Sequence, residues 1–387
     1  MFGGRKRRGL AAAAIALACA ASLAPLAADP IAAAEPPGFA YFHTYAEAVD
    51  ELDSVVADHP TLAQKFSIGQ SFEGREIWAL KLTANVGAGD QGRPAVVLDA
   101  LMHARERASL EMALYIVHTL TDNYGHTSTR LGRRVTSILD GRVVYVIPVL
   151  NPDGAVYDFK DDTFHNWRKN RQPVPDSSAV GIDLNRNFRF KWGCCGGSSG
   201  NPFNLTYRGP SPWYAPETVA YRDFIRSLPN VTQALTIHSA AQRILWPFGY
   251  TTVNVPATMT HDDHDVFVAL SQGMAARNGY LAQQSSDMYI SDGDGDDWAY
   301  HSEGVFRLTL ELAAGSQRRY YPSKAELDVD IPRNRGAILW YIEQADCPYR
   351  VVGLEADYCA SGSGMQSMSL ADGNLTARLA SAGRSME

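Results

Sequence analysis

The 387-residue sequence is short of several things. It has only five cysteines, too few for a fold built on disulfides. Beyond its first 34 residues it has no run of about 18 apolar residues, which excludes a membrane-spanning helix from that part of the chain. It has no excess of positive charge: 35 Lys and Arg stand against 42 Asp and Glu, a net charge of −7. That balance argues against a nucleic-acid partner. No internal repeat is visible, which sets aside solenoids and propellers. What remains is an ordinary globular composition, 45% hydrophobic and 10% aromatic, with enough chain for a large core.

The first residues are of another kind. Arg5-Lys6-Arg7-Arg8 is a basic cluster, Leu10 to Leu26 is rich in Ala and Leu, and Ala32-Ala33-Ala34 is a small-x-small cleavage pattern. The expectation is a secretory signal peptide over residues 1–34 and an extracellular protein. Cutting there removes four basic residues and one acidic (Asp29), leaving 31 and 41, a net of −10. Four cysteines stay: Cys194, Cys195, Cys347 and Cys359. An exported chain can oxidise them, in any of three connectivities. The adjacent pair is expected to bond outward, because a bridge between neighbours strains the peptide.

Apolar patterns outline the rest. Thr44 with Glu47 is a capping box ahead of a helix that stops at Pro60. Strand patterns lie at 64–69, 76–83, 95–102, 142–150, 234–238, 243–248 and 305–312. A helix with apolar Leu110, Leu114, Val117 and Leu120 follows the third of these strand patterns, and helical patterns recur at 216–228, 264–278 and 333–345. Asn151-Pro152-Asp153-Gly154 reads as a turn closing a strand. Strands alternating with helices predict an α/β single domain, with a mixed, mostly parallel central sheet flanked by helices. The domain is expected over 35–346. A Cys-containing, Ser/Gly-rich tail over 347–387 is expected to be loosely ordered from about residue 353.

Two patterns are decoys. Gly87 to Gly92 matches GxGxxG, but a strand rather than a helix follows, so it reads as a turn. Asp292, Asp294, Asp296 and Glu303 fall at calcium-loop spacing, but Asp297 stands where the sharp bend needs glycine. His261-Asp262-Asp263-His264 is read as the cap of the helix at 264–278. Calcium is left unassigned, with no ligands to name.

The chemistry sits where apolar runs end. Residues 99–111 read DALMHARERASLE, so His103 and Glu106 close the third strand pattern. His238 closes another. Two histidines and a glutamate, with a fourth position open, make a catalytic zinc set. Glu311 ends the run at 305–310; beside a metal-activated water such a carboxylate is a general base. The irregular stretch 151–215 carries Trp167-Arg168-Lys169 and Asp183-Leu184-Asn185-Arg186-Asn187, arginines suited to carboxylates and oxyanions.

In order along the chain, HxxE (103–106), NPDG (151–154), WRK (167–169), DLNRN (183–187), IHS (237–239), Tyr289 and LEL (310–312) resemble the zinc carboxypeptidases of the carboxypeptidase A/B type. The bacterial secreted enzymes similar to carboxypeptidase T are nearest in character. The resemblance covers about residues 40–345. It implies one Zn(2+) per chain held by His103, Glu106 and His238, with Asp183 behind His103. It implies Glu311 as base, Arg168 as oxyanion stabiliser, Asn185, Arg186 and Tyr289 as a clamp on the substrate's terminal carboxylate, and Arg105 in outer subsites. The implied substrates are peptide or protein C-termini. Arg107 and Ala240 depart from the family's pattern and are expected to alter subsite shape. The residue seven after the lid tyrosine, at the base of the departing side chain's pocket in the family, is Asp296. With Asp294 beside it, two facing carboxylates are expected to repel unless a cation enters, which predicts a preference for C-terminal Lys and Arg with some apolar residues. A cell-wall peptidase or amidohydrolase and a catalytically inactive peptide-binding module are the rival readings. Asn185-Arg186, suited to an ordinary C-terminal carboxylate, weighs against the first, and the complete catalytic set against the second. A monomer is favoured.

Overall fold

A computed structural model describes residues 41–359, Asp162 excepted. Residues 1–34, expected from sequence to be a signal peptide, and the end of the tail lie outside the described residues. Ten strands form among the described residues: β1 (Ala63–Gln70), β2 (Glu76–Leu82), β3 (Ala95–Ala100), β4 (Val143–Ile147), β5 (Phe159–Lys160), β6 (Thr163–Phe164), β7 (Val231–Ser239), β8 (Arg243–Trp246), β9 (Leu281–Gln284) and β10 (Phe306–Leu312). Eight of them build one sheet in the order β1-β2-β4-β3-β7-β10-β8-β9, with β5 and β6 a separate hairpin. The central run β4-β3-β7-β10 is parallel throughout, and β8 and β9 also pair in parallel. The joins β1-β2, β2-β4 and β10-β8 are antiparallel. The sheet is therefore mixed and mostly parallel, as the pattern predicts.

Among the described residues ten α-helices flank it: α1 (Tyr45–Asp58), α2 (Ala108–Asn123), α3 (Arg130–Gly141), α4 (Pro152–Asp158), α5 (Pro216–Ser227), α6 (His261–Asn278), α7 (Ser285–Met288), α8 (Gly295–Glu303), α9 (Lys324–Glu343) and α10 (Glu355–Tyr358). Side chains alternate between two cores, one on each face of the sheet. Val96 and Leu98 of β3 and Val144 and Val146 of β4 pack with α1, α2, α3, α6 and α9. Ala95 and Val97 of β3, with Val143 and Tyr145 of β4, pack with Tyr221, Phe224 and Ile225 of α5 and Trp298 of α8. A central strand covered on both faces is buried along its whole length, as every residue of β3 and β7 is, and its few polar side chains, Asp99 and Thr236 among them, must find partners.

Several local expectations are corrected. NPDG is not a free turn: Asn151 caps α4 by accepting from Gly154 N, and Pro152 takes the first helical position, where its missing N–H costs nothing. Residues 261–264 are the first turn of α6, not its cap, which is Thr260. Pro332 interrupts the apolar pattern of α9 but not the helix, which starts from a Ser323–Glu326 capping box. Cys194 bonds Cys195 rather than a distant partner, because Cys347 is taken by Cys359. That second bridge and the contacts of Tyr349 and Tyr358 with Asp263 and Asp262 hold the start of the tail in ordered helical turns on α6. No helix among the described residues is long and apolar enough to cross a membrane.

Candidate active site

The carboxyl ends of parallel strands gather the site, the usual place for a ligand in an open α/β sheet. After β3 the chain turns through Leu101 at a φ of 49°. A tight turn follows, with Glu106 N donating to His103 O at 3.0 Å, before α2 begins. This turn carries both His103 and Glu106. The Asn151 amide ties it in place: Nδ2 donates to Met102 O at 3.0 Å and to Lys169 O at 3.1 Å, joining the His103 segment to the Arg168 segment. Gly154 is required there, since a Cβ would stand 2.6 Å from the Asn151 amide and 2.7 Å from Lys169 O. That is the structural work of the NPDG motif.

His103, Glu106 and His238 are buried, and one ligand atom from each falls within 4.8 Å of the others. Glu106 lies between the rings, Oε1 at 3.0 Å from His103 Nδ1 and Oε2 at 2.8 Å from His238 Nδ1. The far nitrogens are engaged. His103 Nε2 is 3.1 Å from Asp183 Oδ1. His238 Nε2 is 3.2 Å from Thr236 Oγ1, whose own hydrogen goes to Asp99 Oδ2 at 2.7 Å. If both rings donate from Nε2, both Nδ1 lone pairs face the Glu106 carboxylate at hydrogen-bond distance. Acceptor against acceptor requires a positive centre between them, and two imidazoles with a carboxylate are a donor set suited to zinc.

Around this set lie the other groups. Arg168 donates from Nε and Nη2 to Asp183 Oδ2 at 3.1 and 2.9 Å, and its Nη1 is 3.5 Å from Glu106. Burial opposes the charge on Asp183, but Arg168 and His103 hold it well below the usual carboxylate range. Glu311 is the register partner of His238 across β10 and β7. Burial pushes Glu311 up to about 7, the Glu106 carboxylate adds to this, and His238 and Arg168 oppose it. Asn185 accepts from Gly295 N at 2.9 Å through Oδ1, which leaves its Nδ2 to donate. Arg186 donates from Nε to Gly197 O at 3.0 Å, and its guanidinium stands 5.9 Å from the Tyr289 ring. Asp292 accepts from Cys195 N and Gly197 N, so the loop bearing the Cys194–Cys195 bridge buttresses Arg186. Tyr289 ends α7 and is half exposed at the rim.

Ten of the twelve residues singled out from sequence line one cleft: His103, Glu106, Arg168, Asn185, Arg186, His238, Tyr289, Asp294, Asp296 and Glu311. Asp183 lies directly behind, under His103 and Arg168. Arg105 is apart from the lining, packed on Tyr320 at 4.1 Å and bonded to its hydroxyl. Arg107 shapes no subsite: it is buried against Asp158, which also accepts from Tyr321. The premise of two uncompensated carboxylates is corrected as well. Asp294 is occupied as the cap of α8, accepting from Asp297 N, and Asp296 has a buried cation beside it, Arg307. Sequence reasoning passed over Asp99, Thr236, Thr309 and Arg307. Their signal was available, since Asp99 and Arg307 are charges inside apolar strands, which burial permits only with a partner.

The family model described as zinc carboxypeptidase matches residues 48–335. A zinc carboxypeptidase of Saccharothrix mutabilis subsp. capreolus is 35% identical over 328 residues, covering 82% of this chain and 73% of the relative. Rat carboxypeptidase A1 is 34% identical over 279 residues, covering 71% of this chain and 63% of that protein, less than two thirds of its length. Among solved structures, bovine thrombin-activatable fibrinolysis inhibitor in complex with tick carboxypeptidase inhibitor superposes with a TM-score of 0.68 at 25% identity, covering 79% of this chain and 97% of that one. Carboxypeptidase A from Helicoverpa armigera shares the fold with a TM-score of 0.65 at 24% identity, over 81% of this chain and 75% of that one.

Proposed function

This chain belongs to the zinc carboxypeptidase family, and we propose that it acts as a secreted enzyme that removes residues one at a time from peptide C-termini, taking Lys and Arg readily and some apolar residues. The supporting observation is convergence: the buried His103, Glu106, His238 set and the Asn185, Arg186, Tyr289 group open into one cleft. An internal peptide segment has no carboxylate for the second group, so the same geometry favours the chain end.

His103, Glu106 and His238 are the zinc ligands in this reading; Lewis acidity toward the scissile carbonyl and a lowered water pKa are the chemistry zinc supplies when bound. Arg186, Asn185 Nδ2 and the Tyr289 hydroxyl bind the terminal carboxylate and fix the scissile bond over Glu311. Glu311 takes a proton from the attacking water and returns it to the departing amine. Arg168, anchored on Asp183, offers its guanidinium to the negative charge that develops on the carbonyl oxygen. Asp183 and Thr236 hold the two histidine rings in the tautomer that leaves Nδ1 free.

Export is supported by the basic and apolar start of the chain and by the two disulfides, which suit an oxidising compartment. The test is mass spectrometry of a linear peptide library, with and without chelator, beside the same library blocked as C-terminal amides. Loss of single C-terminal residues from free acids alone is the expected result. Internal cleavage, or equal cleavage of the amides, contradicts the clamp.

A further inference from the structure

Behind the pocket assigned to the departing side chain lies a second layer of charge. Asp296 is buried and lines the cleft, with Oδ2 accepting from Thr309 Oγ1 at 2.6 Å. Its Oδ1 is 3.3 Å from Nη1 of Arg307. Arg307 is fully buried in β10 and is not part of the cleft wall. Its Nη2 reaches both oxygens of Asp99, at 3.0 and 3.2 Å. Nη1 and Nε have no hydrogen-bond partner, nor has Asp296 Oδ1, so this contact is electrostatic and loosely aligned. The space for Arg307 depends on Gly295, where a Cβ would stand 1.8 Å from Nη1.

A lone buried carboxylate at the base of a pocket has one good state, paired with a substrate cation. A neutral side chain then leaves it an unpaired charge, which is costly. Arg307 changes that comparison. With a neutral side chain in the pocket, Asp296 keeps a counter-ion. With a cationic side chain, Asp296 is shared and a like charge stands behind it. Burial pushes Asp296 up to about 7, and Arg307 is the largest influence against that rise.

We propose that Arg307 is a specificity-determining positioning residue: acting through Asp296, it weakens the pocket's discrimination between cationic and neutral side chains, so that the enzyme accepts both. This rests on the reading of Asp296 as the base of that pocket.

The experiment compares kcat/KM at pH 8 for peptides that differ only in a C-terminal Arg, citrulline or Leu. Citrulline keeps the shape of Arg without its charge. The wild-type enzyme is expected to favour Arg over citrulline by roughly ten-fold or less. Arg307→Met is expected to raise that ratio by roughly ten-fold or more, while Arg307→Lys, which keeps the charge, stays near wild type. An unchanged ratio in Arg307→Met, or an equal rise in Arg307→Lys, overturns the proposal, the latter by pointing to packing. A wild-type preference of roughly a thousand-fold also overturns it, and that arm decides the matter should the variants not fold. Asp296→Asn separates the two levels. A fall in its Arg-to-citrulline ratio supports Asp296 as the pocket base whatever Arg307 does. No change there removes the pocket reading itself.

Discussion

Glu311 and His238 are register partners on adjacent parallel strands, so the proposed base and a metal-ligand candidate stand side by side at the same edge of the sheet. A slip of one residue in either strand would turn one of the two side chains to the opposite face. The catalytic geometry is therefore as secure as the pairing of β7 and β10, whose side chains fill both cores.

The metal is the first expectation to test. Chelation should abolish activity, and about one equivalent of zinc per chain should restore it. His103→Ala should lower the zinc content of the purified protein. Asp183→Asn should weaken zinc binding by roughly 10- to 100-fold, because the ring loses the acceptor that orients it. Zinc content by elemental analysis checks both, and full activity after stringent metal removal would refute the reading.

Glu311→Gln should retain zinc and lose turnover by a factor of about 100 or more. The base must be ionised to accept a proton, so activity should rise with pH along an acid limb. Burial and Glu106 place Glu311 at about 7, and the positive charge of zinc draws it lower, so the midpoint of the kcat/KM limb is expected below that value. A limb that persists unchanged in residual Glu311→Gln activity would assign it to another group.

The two arginines should separate kinetically. Arg186→Ala should raise KM by roughly 10- to 100-fold, the loss of one charge-assisted contact to the terminal carboxylate. Arg168→Ala should lower kcat by roughly 100-fold through lost stabilisation of developing charge. Steady-state kinetics on one substrate checks both, and the reverse pattern would exchange their roles.

Glu217 gives a prediction about stability. It is fully buried, accepts from Asn170 Nδ2 at 2.9 Å, and burial pushes it up to about 7 from 4.5. A group whose pKa rises on folding stabilises the fold below its unfolded pKa, and that contribution is lost as pH climbs through the folded value. The loss is at most about 3 kcal/mol. The Tm of Glu217→Gln relative to wild type should therefore increase between pH 5 and pH 8. A constant difference across that range would show that folding does not raise the pKa of Glu217.

Much of this was legible in the chain. Strand and helix patterns carried the fold class because burial on two faces demands continuous apolar strands and one-sided helices. The ordered motifs pointed to ten residues that meet in one cleft. Less legible were features set by contacts distant in sequence. The Cys194–Cys195 bridge depends on Cys347 and Cys359 meeting each other. The helical reach of α9 depends on packing that overrides Pro332.

The sequence by itself determined which side chains end the central strands, since the alternation of a strand and the position of its last apolar residue are local properties. It also determined the chemical types in the site: two imidazoles, four carboxylates and two arginines. What only the tertiary structure decided is the charge state those groups meet. Asp296 and Arg307 are 11 positions apart with a helix and a turn between them, and no local rule says that the helix start and the strand converge. Electrostatic interaction depends on distance in space and on how much water lies between. The folded chain sets the first at 3.3 Å and excludes most of the second.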